Sequence, residues 1–97
     1  MGHLFVEFVK RHCILILKIE MPLQTMERLV DFFAARKIIV DSMHMNAIEG
    51  GEANLMIYCL IEKDRIPHTK NMLEKMRGIV ELQLLESKES NTMKHER

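Results

Sequence analysis

The chain has 97 residues, which predicts one domain whose core is small enough that packing against a partner would add stability. Lys plus Arg and Asp plus Glu each number 14, so the formal net charge is zero and predicts no binding to nucleic acid or to an anionic membrane. The charged residues Glu7, Lys10 and Arg11 interrupt the apolar N-terminal segment, which therefore predicts neither a signal peptide nor a membrane span. We expect a cytoplasmic protein.

The first predicted strand covers residues 13–20, after an N-terminal extension of residues 1–12. Its side chains alternate between two faces, and both faces are largely apolar. One face carries Leu15, Leu17 and Ile19, and the other carries Ile14, Ile16, Lys18 and Glu20.

A helix is predicted after Pro22, which ends the strand, with Thr25 as its N-cap and its end near Arg36. The spacing of four apolar residues predicts a single stripe on this helix. The stripe consists of Met26, Leu29, Val30 and Phe33.

Two further strands are predicted at residues 38–48 and 54–62, joined by a turn at Glu49-Gly50-Gly51-Glu52. In the first of them, Met43 and Met45 are expected on the core side. Alternation then places Ser42, His44 and Asn46 on the other side, as a ligand or partner surface or as a solvated strand face. The return strand has Leu55, Ile57, Cys59 and Ile61 on one face.

The second predicted helix begins near Pro67, and Gly78 suits its C-terminus. Its stripe consists of Thr69, Met72, Leu73 and Met76. A last strand at residues 79–86 is expected to turn Val80, Leu82 and Leu84 inward, and residues 87–97 read as a flexible polar tail.

This order of elements predicts an α+β, ferredoxin-like βαββαβ sandwich, with two helices on one face of a four-stranded antiparallel sheet. The other face would be open and apolar, so we expect it to be an interface, most simply in a homodimer. Cover by residues 4–9 of the chain itself is the alternative. The expected interface residues are Ile14, Ile16, Met56, Tyr58 and Leu60.

With this order in place, residues 13–86, about three quarters of the chain, resemble the ACT domain. They are most similar to the short form of the acetohydroxyacid synthase (acetolactate synthase) small subunit. The resemblance is sharpest in two segments, where that family shows Thr-Leu-Glu-Arg-Val and Val-x-Ser-Met-Asn-Met at the same separation. The segments are Thr25-Met26-Glu27-Arg28-Leu29 and Val40-Asp41-Ser42-Met43-His44-Met45.

The resemblance implies a noncatalytic regulatory subunit that binds and activates a thiamine-diphosphate enzyme of branched-chain amino acid biosynthesis, often with feedback inhibition by valine. The alternative is a free-standing dimeric ACT domain that senses a small effector such as an amino acid. In both cases the candidate ligand-binding residues lie in the loop after the first strand and on the second strand. They are Met21, Pro22, Leu23, Gln24, Ser42 and His44.

One position in that loop departs from ACT domains that bind amino acids. Those domains carry Asn and then Gly, whose missing side chain lets backbone N–H groups approach the ligand carboxylate. Gln24 stands where the Gly would be, so the departure argues against amino-acid binding here. The short small subunits also lack this glycine, so subunit membership is less affected.

No arrangement of nucleophile, base and orienting group is recognisable, so we expect a protein that is not an enzyme and has no cofactor. The histidines form no spaced metal-ligand pair, and Cys13 and Cys59 match no metal or redox spacing. We expect no metal site, and both cysteines as reduced core residues.

Overall fold

The backbone follows the predicted alternation of strands and helices. The computed structural model describes residues 9–87. The elements are β1 (Lys10–Glu20), α1 (Pro22–Ala35), β2 (Ile39–Ile48), β3 (Glu52–Glu62), a 3-10 turn (Lys63–Arg65), α2 (Ile66–Glu74) and β4 (Ile79–Glu86).

The four strands form one antiparallel sheet in the order β2-β3-β1-β4, which confirms the ferredoxin-like α+β prediction. β1 is central and pairs with β3 over its whole length, from Lys10 opposite Glu62 to Glu20 opposite Glu52. It starts three residues earlier than predicted, so residues 10–12 belong to the sheet. Residues 1–8 of the predicted extension and residues 88–97 of the predicted tail lie outside the described residues.

The core lies between the sheet and both helices, as the alternation predicts. Leu15 and Leu17 of β1 are at most 1% exposed, and Leu29 of α1 and Leu73 of α2 are fully buried. Each such side chain contributes roughly 1.5–3 kcal/mol through burial. The other buried apolar residues are Cys13, Ile19, Phe32, Phe33, Ala53, Leu55, Ile57, Cys59, Ile61 and Ile66.

Helix α1 begins three residues before the predicted N-cap. Pro22 occupies the first turn, where its missing N–H costs nothing, and Met21 in the left-handed region (φ 48°) turns the chain from strand to helix. Thr25 is therefore inside the helix and fully buried, and the N-cap prediction is wrong. Its hydroxyl donates to the Glu20 carbonyl at 2.6 Å.

The predicted stripe on α1 is confirmed at Leu29 and Phe33, whereas Val30 is 51% exposed. Phe32 takes the core position instead and packs edge-on against Phe33, with ring centroids 5.6 Å apart. The buried stripe is thus rotated by part of a turn, because Phe32 and Phe33 together fill the space above the sheet.

The inward prediction for β4 is confirmed for Leu82 and Leu84, which pack against the core, but is wrong for Val80, which is 45% exposed. Pairing with β1 shifts register here: Lys18 faces Glu81 while Ile19 faces Ile79. This bulge leaves Val80 without a partner and moves Ile79 to the core side.

On β2, Met43 and Met45 lie on the core side, opposite Ile57 and Leu55. Met45 is nevertheless 41% exposed, because β2 is an edge strand and packs less closely under the helices. The predicted turn to β3 is confirmed, with Gly50 and Gly51 both at positive φ. Gly78 also has positive φ (98°), but it lies four residues beyond the end of α2, immediately before β4.

Candidate functional site

Among residues 9–87, no helix or strand covers the face of the sheet opposite the helices, which is apolar along its two central strands. The alternative cover by residues 4–9 falls largely outside the described residues. Across β1 and β3, Ile14 faces Tyr58 and Ile16 faces Met56. Leu60 continues the same face one step further along β3, opposite His12. The five predicted interface residues therefore form one contiguous surface, which we call the open face.

The open face extends onto β4 through a residue that sequence reasoning did not assign. Leu85 pairs with Ile14 from the other side and is 42% exposed. The sequence itself indicates this position: side chains alternate between the two faces of a strand, so Leu85 lies on the face opposite to Leu82 and Leu84. Leu85 widens the apolar surface across three of the four strands.

The polar side of the open face comes from β2. Ser42 lies opposite Tyr58, His44 opposite Met56 and Asn46 opposite Asn54, as the alternation predicts. The His44 and Tyr58 rings meet edge-on, with centroids 6.4 Å apart and planes at 88°. This arrangement is typical of favourable aromatic pairs, so it orients Tyr58 at the boundary between the polar and apolar parts.

Tyr58 is also held by a second contact within the open face. Its hydroxyl lies 3.3 Å from the Met56 sulfur, a weak acceptor, and the residue is 37% exposed. A phenol with only a sulfur acceptor can still donate more strongly to an incoming carbonyl or carboxylate. Tyr58 therefore combines an apolar ring with a polar tip, a combination enriched in protein interfaces.

The residues predicted for the loop after β1 occupy different positions from those expected. Only Met21 connects β1 to α1, and Pro22, Leu23 and Gln24 form the first helical turn. Leu23 is 74% exposed. The expected loop is therefore reduced to Met21, and the other candidate ligand residues of this segment lie in the first turn of α1.

The candidate ligand residues on β2 are not adjacent to that helix terminus in one chain. Ser42 pairs with Tyr58, which in turn pairs with Ile14. Ile14 is six residues from the end of β1, about 20 Å along the strand. In the same way, His44 pairs with Met56 and Met56 with Ile16, which is about 13 Å from the end of β1. Moreover, both lie on the face opposite α1. A single chain thus separates the two halves of the predicted ligand site.

The two cysteines are core residues that lie directly opposite each other on β1 and β3, each 1% exposed and not joined by a disulfide. Burial raises the pKa of Cys13 to about 11, with a smaller contribution from Glu86 that Arg11 opposes. Burial raises the pKa of Cys59 to about 12, with smaller contributions from Cys13 and Asp41. Thiols with such pKa values are protonated near pH 7 and therefore poor nucleophiles.

Across residues 9–87, no group of three or more His, Cys, Asp or Glu residues is arranged to hold a metal ion. Within the same residues, neither helix is long and apolar enough to cross a membrane.

Comparison with solved structures supports the fold. The chain is similar to the C-terminal domain of the MgtC protein from Mycobacterium tuberculosis, with a TM-score of 0.61 and 10% identity over 79% of this chain and 87% of that chain. It is also similar to 30S ribosomal protein S6 from Thermotoga maritima, with a TM-score of 0.60 and 15% identity over 86% of this chain and 92% of that chain.

At these identities the similarity establishes the ferredoxin-like fold alone, because one fold supports many unrelated functions. No family model and no curated protein matches the chain.

Proposed function

We propose that this protein is a noncatalytic interaction module that uses the open face of its sheet to bind another protein chain. More specifically, we propose a regulatory subunit that binds and activates an acetohydroxyacid synthase catalytic chain, the role implied by the resemblance of residues 25–29 and 40–45. The open face is the single observation that carries the proposal.

The composition of the open face suits a protein partner. Its centre is formed by aliphatic and thioether side chains, with Tyr58 and His44 at the border with polar β2. An apolar centre with a polar rim is typical of protein interfaces, and Met and Tyr are enriched there. Burying the centre would gain free energy at roughly 25 cal/mol for each Å² of apolar surface removed from water.

The two segments that resemble the small-subunit family differ in how far core packing alone accounts for their sequences. In residues 25–29, Thr25 and Leu29 are fully buried, so packing under the helix restricts what can stand there. In residues 40–45, Ser42 matches the family and lies on the open face of an edge strand, where the core imposes no such restriction, whereas His44 stands where the family has Asn. The second segment therefore supports a shared binding role more strongly than the first.

The test is reconstitution with the acetohydroxyacid synthase catalytic chain from the same organism. We expect the protein to raise acetolactate formation to a plateau near one-to-one stoichiometry and to co-migrate with the catalytic chain. Unchanged activity together with separate migration would overturn the specific proposal.

A matched pair of variants then tests the open face. Ile16→Lys places a charge at its centre and should abolish activation. Val30→Lys places the same charge on the exposed side of α1 and should leave activation intact. Equal loss of activation in both variants, with both folded by circular dichroism, would count against the open face as the binding surface.

A further inference from the structure

A second site lies at the end of the sheet where β1 begins and β3 ends. There, the end of α1 and the start of α2 enclose a cavity of about 580 Å³. This volume is within the range of pockets that hold small molecules. Its wall includes Lys10, whereas Met21 follows the other end of β1, about 33 Å away along the strand. The cavity is therefore separate from the predicted ligand loop.

The lining of the cavity is strongly basic, although the chain as a whole has no net charge. Four permanent cations, Lys10, Arg36, Lys37 and Arg65, line it together with His68. Glu62 is the one carboxylate among the lining residues. Several like charges around one concavity raise the local potential and attract anions.

Most of these cations lack a carboxylate partner. Arg65 is 3.9 Å from Glu62, a long and largely exposed ion pair. Lys10, Arg36 and Lys37 form no ion pair within the part of the chain that the structure describes, residues 9–87. Since the one lining carboxylate faces Arg65, three positive charges remain uncompensated at the cavity.

Arg36 is held in place by neutral groups. Its guanidinium carbon lies 4.0 Å from the centre of the Phe32 ring, and Nη1 donates to the Phe32 carbonyl at 3.3 Å. Nη2 lies 3.9 Å from the Met72 sulfur. These contacts use only part of its five donors, so a pre-positioned guanidinium is left with capacity for an oxyanion.

The cavity also has an apolar wall. Ile61 is almost fully buried, while Ile38 and Met72 are half-buried where they line it. A ligand that bound only through charge would leave Ile38 and Met72 partly against water. The wall therefore favours an organic anion over a bare inorganic ion.

We propose that this cavity binds a small organic phosphate. A phosphate ester carries close to two negative charges at neutral pH and accepts the parallel hydrogen bonds that arginine donates. It matches three uncompensated cations better than a single carboxylate does. The carbon portion of the ligand would lie against Ile38, Ile61 and Met72. This site does not depend on the proposed function: Leu60 is the one open-face residue that lines the cavity, and none of the proposed ligand contacts uses it.

The test is a titration of the full chain with phenyl phosphate at fixed ionic strength. Binding is measured by the amide chemical shifts and by calorimetry. We expect saturable shifts at Lys37, Glu62 and His68 and weaker binding of inorganic phosphate. Trimethyl phosphate, which is uncharged, should not bind. Absence of saturable binding, or shifts spread evenly over the surface, would overturn the proposal.

Paired charge variants give the specificity control. The double variant Lys37→Gln/Arg65→Gln should weaken phenyl phosphate binding at least tenfold. Lys75→Gln/Arg77→Gln removes the same charge at the other end of α2 and should leave binding within twofold. Equal weakening in both double variants would mean that net charge, and not this cavity, drives binding. Melting curves of the wild type and both double variants verify folding.

Discussion

Gly78 and Thr25 meet so closely that a Cβ atom at Gly78 would overlap the Thr25 hydroxyl. Two hydrogen bonds surround this contact: the Thr25 hydroxyl donates to the Glu20 carbonyl at 2.6 Å, and the Glu20 N–H donates to the Gly78 carbonyl at 2.8 Å. The end of β1, the first turns of α1 and the start of β4 are therefore joined at one point.

Gly78→Ala should destabilise the protein by about 3 kcal/mol, because it adds a steric overlap to a left-handed backbone (φ 98°). Chemical denaturation measures the free energy of unfolding. Gly50→Ala is the matched control, since Gly50 has φ 84° with nothing within 4 Å of an added Cβ. We expect about 1 kcal/mol there. Equal losses at both glycines would show that the contact with Thr25 costs nothing.

Thr25→Val should cost about 1–3 kcal/mol, because it keeps the shape of a fully buried side chain but leaves the Glu20 carbonyl without its hydroxyl donor. Thr25→Ser keeps the hydroxyl and is the control, with a smaller loss from one missing methyl group. A greater loss for Ser than for Val would mean that packing of the methyl, and not the hydrogen bond, sets the requirement at this position.

The periodicity of side chains predicted the fold because it reports which face of each element is buried. In β1, Leu15 and Leu17 alternate with Ile14 and Ile16, and the partner strand repeats the pattern. In α1, Leu29 and Phe33 have helical spacing. Such local patterns do not depend on distant contacts, so the faces of the central strands and the open face were predictable from them.

The features that were missed depend on contacts between distant parts of the chain. Thr25 suits an N-cap by residue type, yet its buried position is set by Glu20 and Gly78. Val80 continues a regular alternation, and only pairing with β1 introduces the bulge that exposes it.

The basic cavity was missed for the same reason. Its cations come from β1, the end of α1 and the turn before α2, which the fold alone brings together.

The open face should mediate a homodimer when no other partner is present. We expect the wild-type protein to sediment as a dimer at micromolar concentration, because the apolar centre formed by Ile14, Ile16 and Leu85 would otherwise face water. Ile16→Lys should sediment as a monomer and Val30→Lys as a dimer. A dimer that survives Ile16→Lys would place the contact elsewhere, for example at the exposed edge of β2.

Free amino acids should leave the melting temperature unchanged. Pro22 has no N–H to offer a carboxylate, and Gln24 carries a side chain where an amino-acid site favours glycine. Thermal melts with each of the twenty amino acids at millimolar concentration measure this. A reproducible rise with valine, leucine or isoleucine would instead favour the dimeric sensor, since a ligand that binds the folded state stabilises it.

Alkaline pH should unfold the protein partly through its two buried thiols. Burial raises their pKa values from 9.0 to about 11 for Cys13 and about 12 for Cys59. The unfolded chain therefore loses the thiol protons at a lower pH than the folded chain does. The contribution of the thiols to stability is complete below pH 9 and is lost as the pH rises from 9 through 11 to 12. Urea denaturation under reducing conditions at pH 8, 9, 10 and 10.5 measures the decline.

The control for that decline is Cys59→Ala, because lysine and tyrosine side chains also titrate in this range. The variant should be less stable at pH 8, since it leaves a small cavity, but its stability should fall less steeply between pH 9 and 10.5 than that of the wild type. Parallel curves for the two proteins would mean that the Cys59 thiol ionises at the same pH in the folded and unfolded states, contrary to its burial opposite Cys13 in the centre of the sheet.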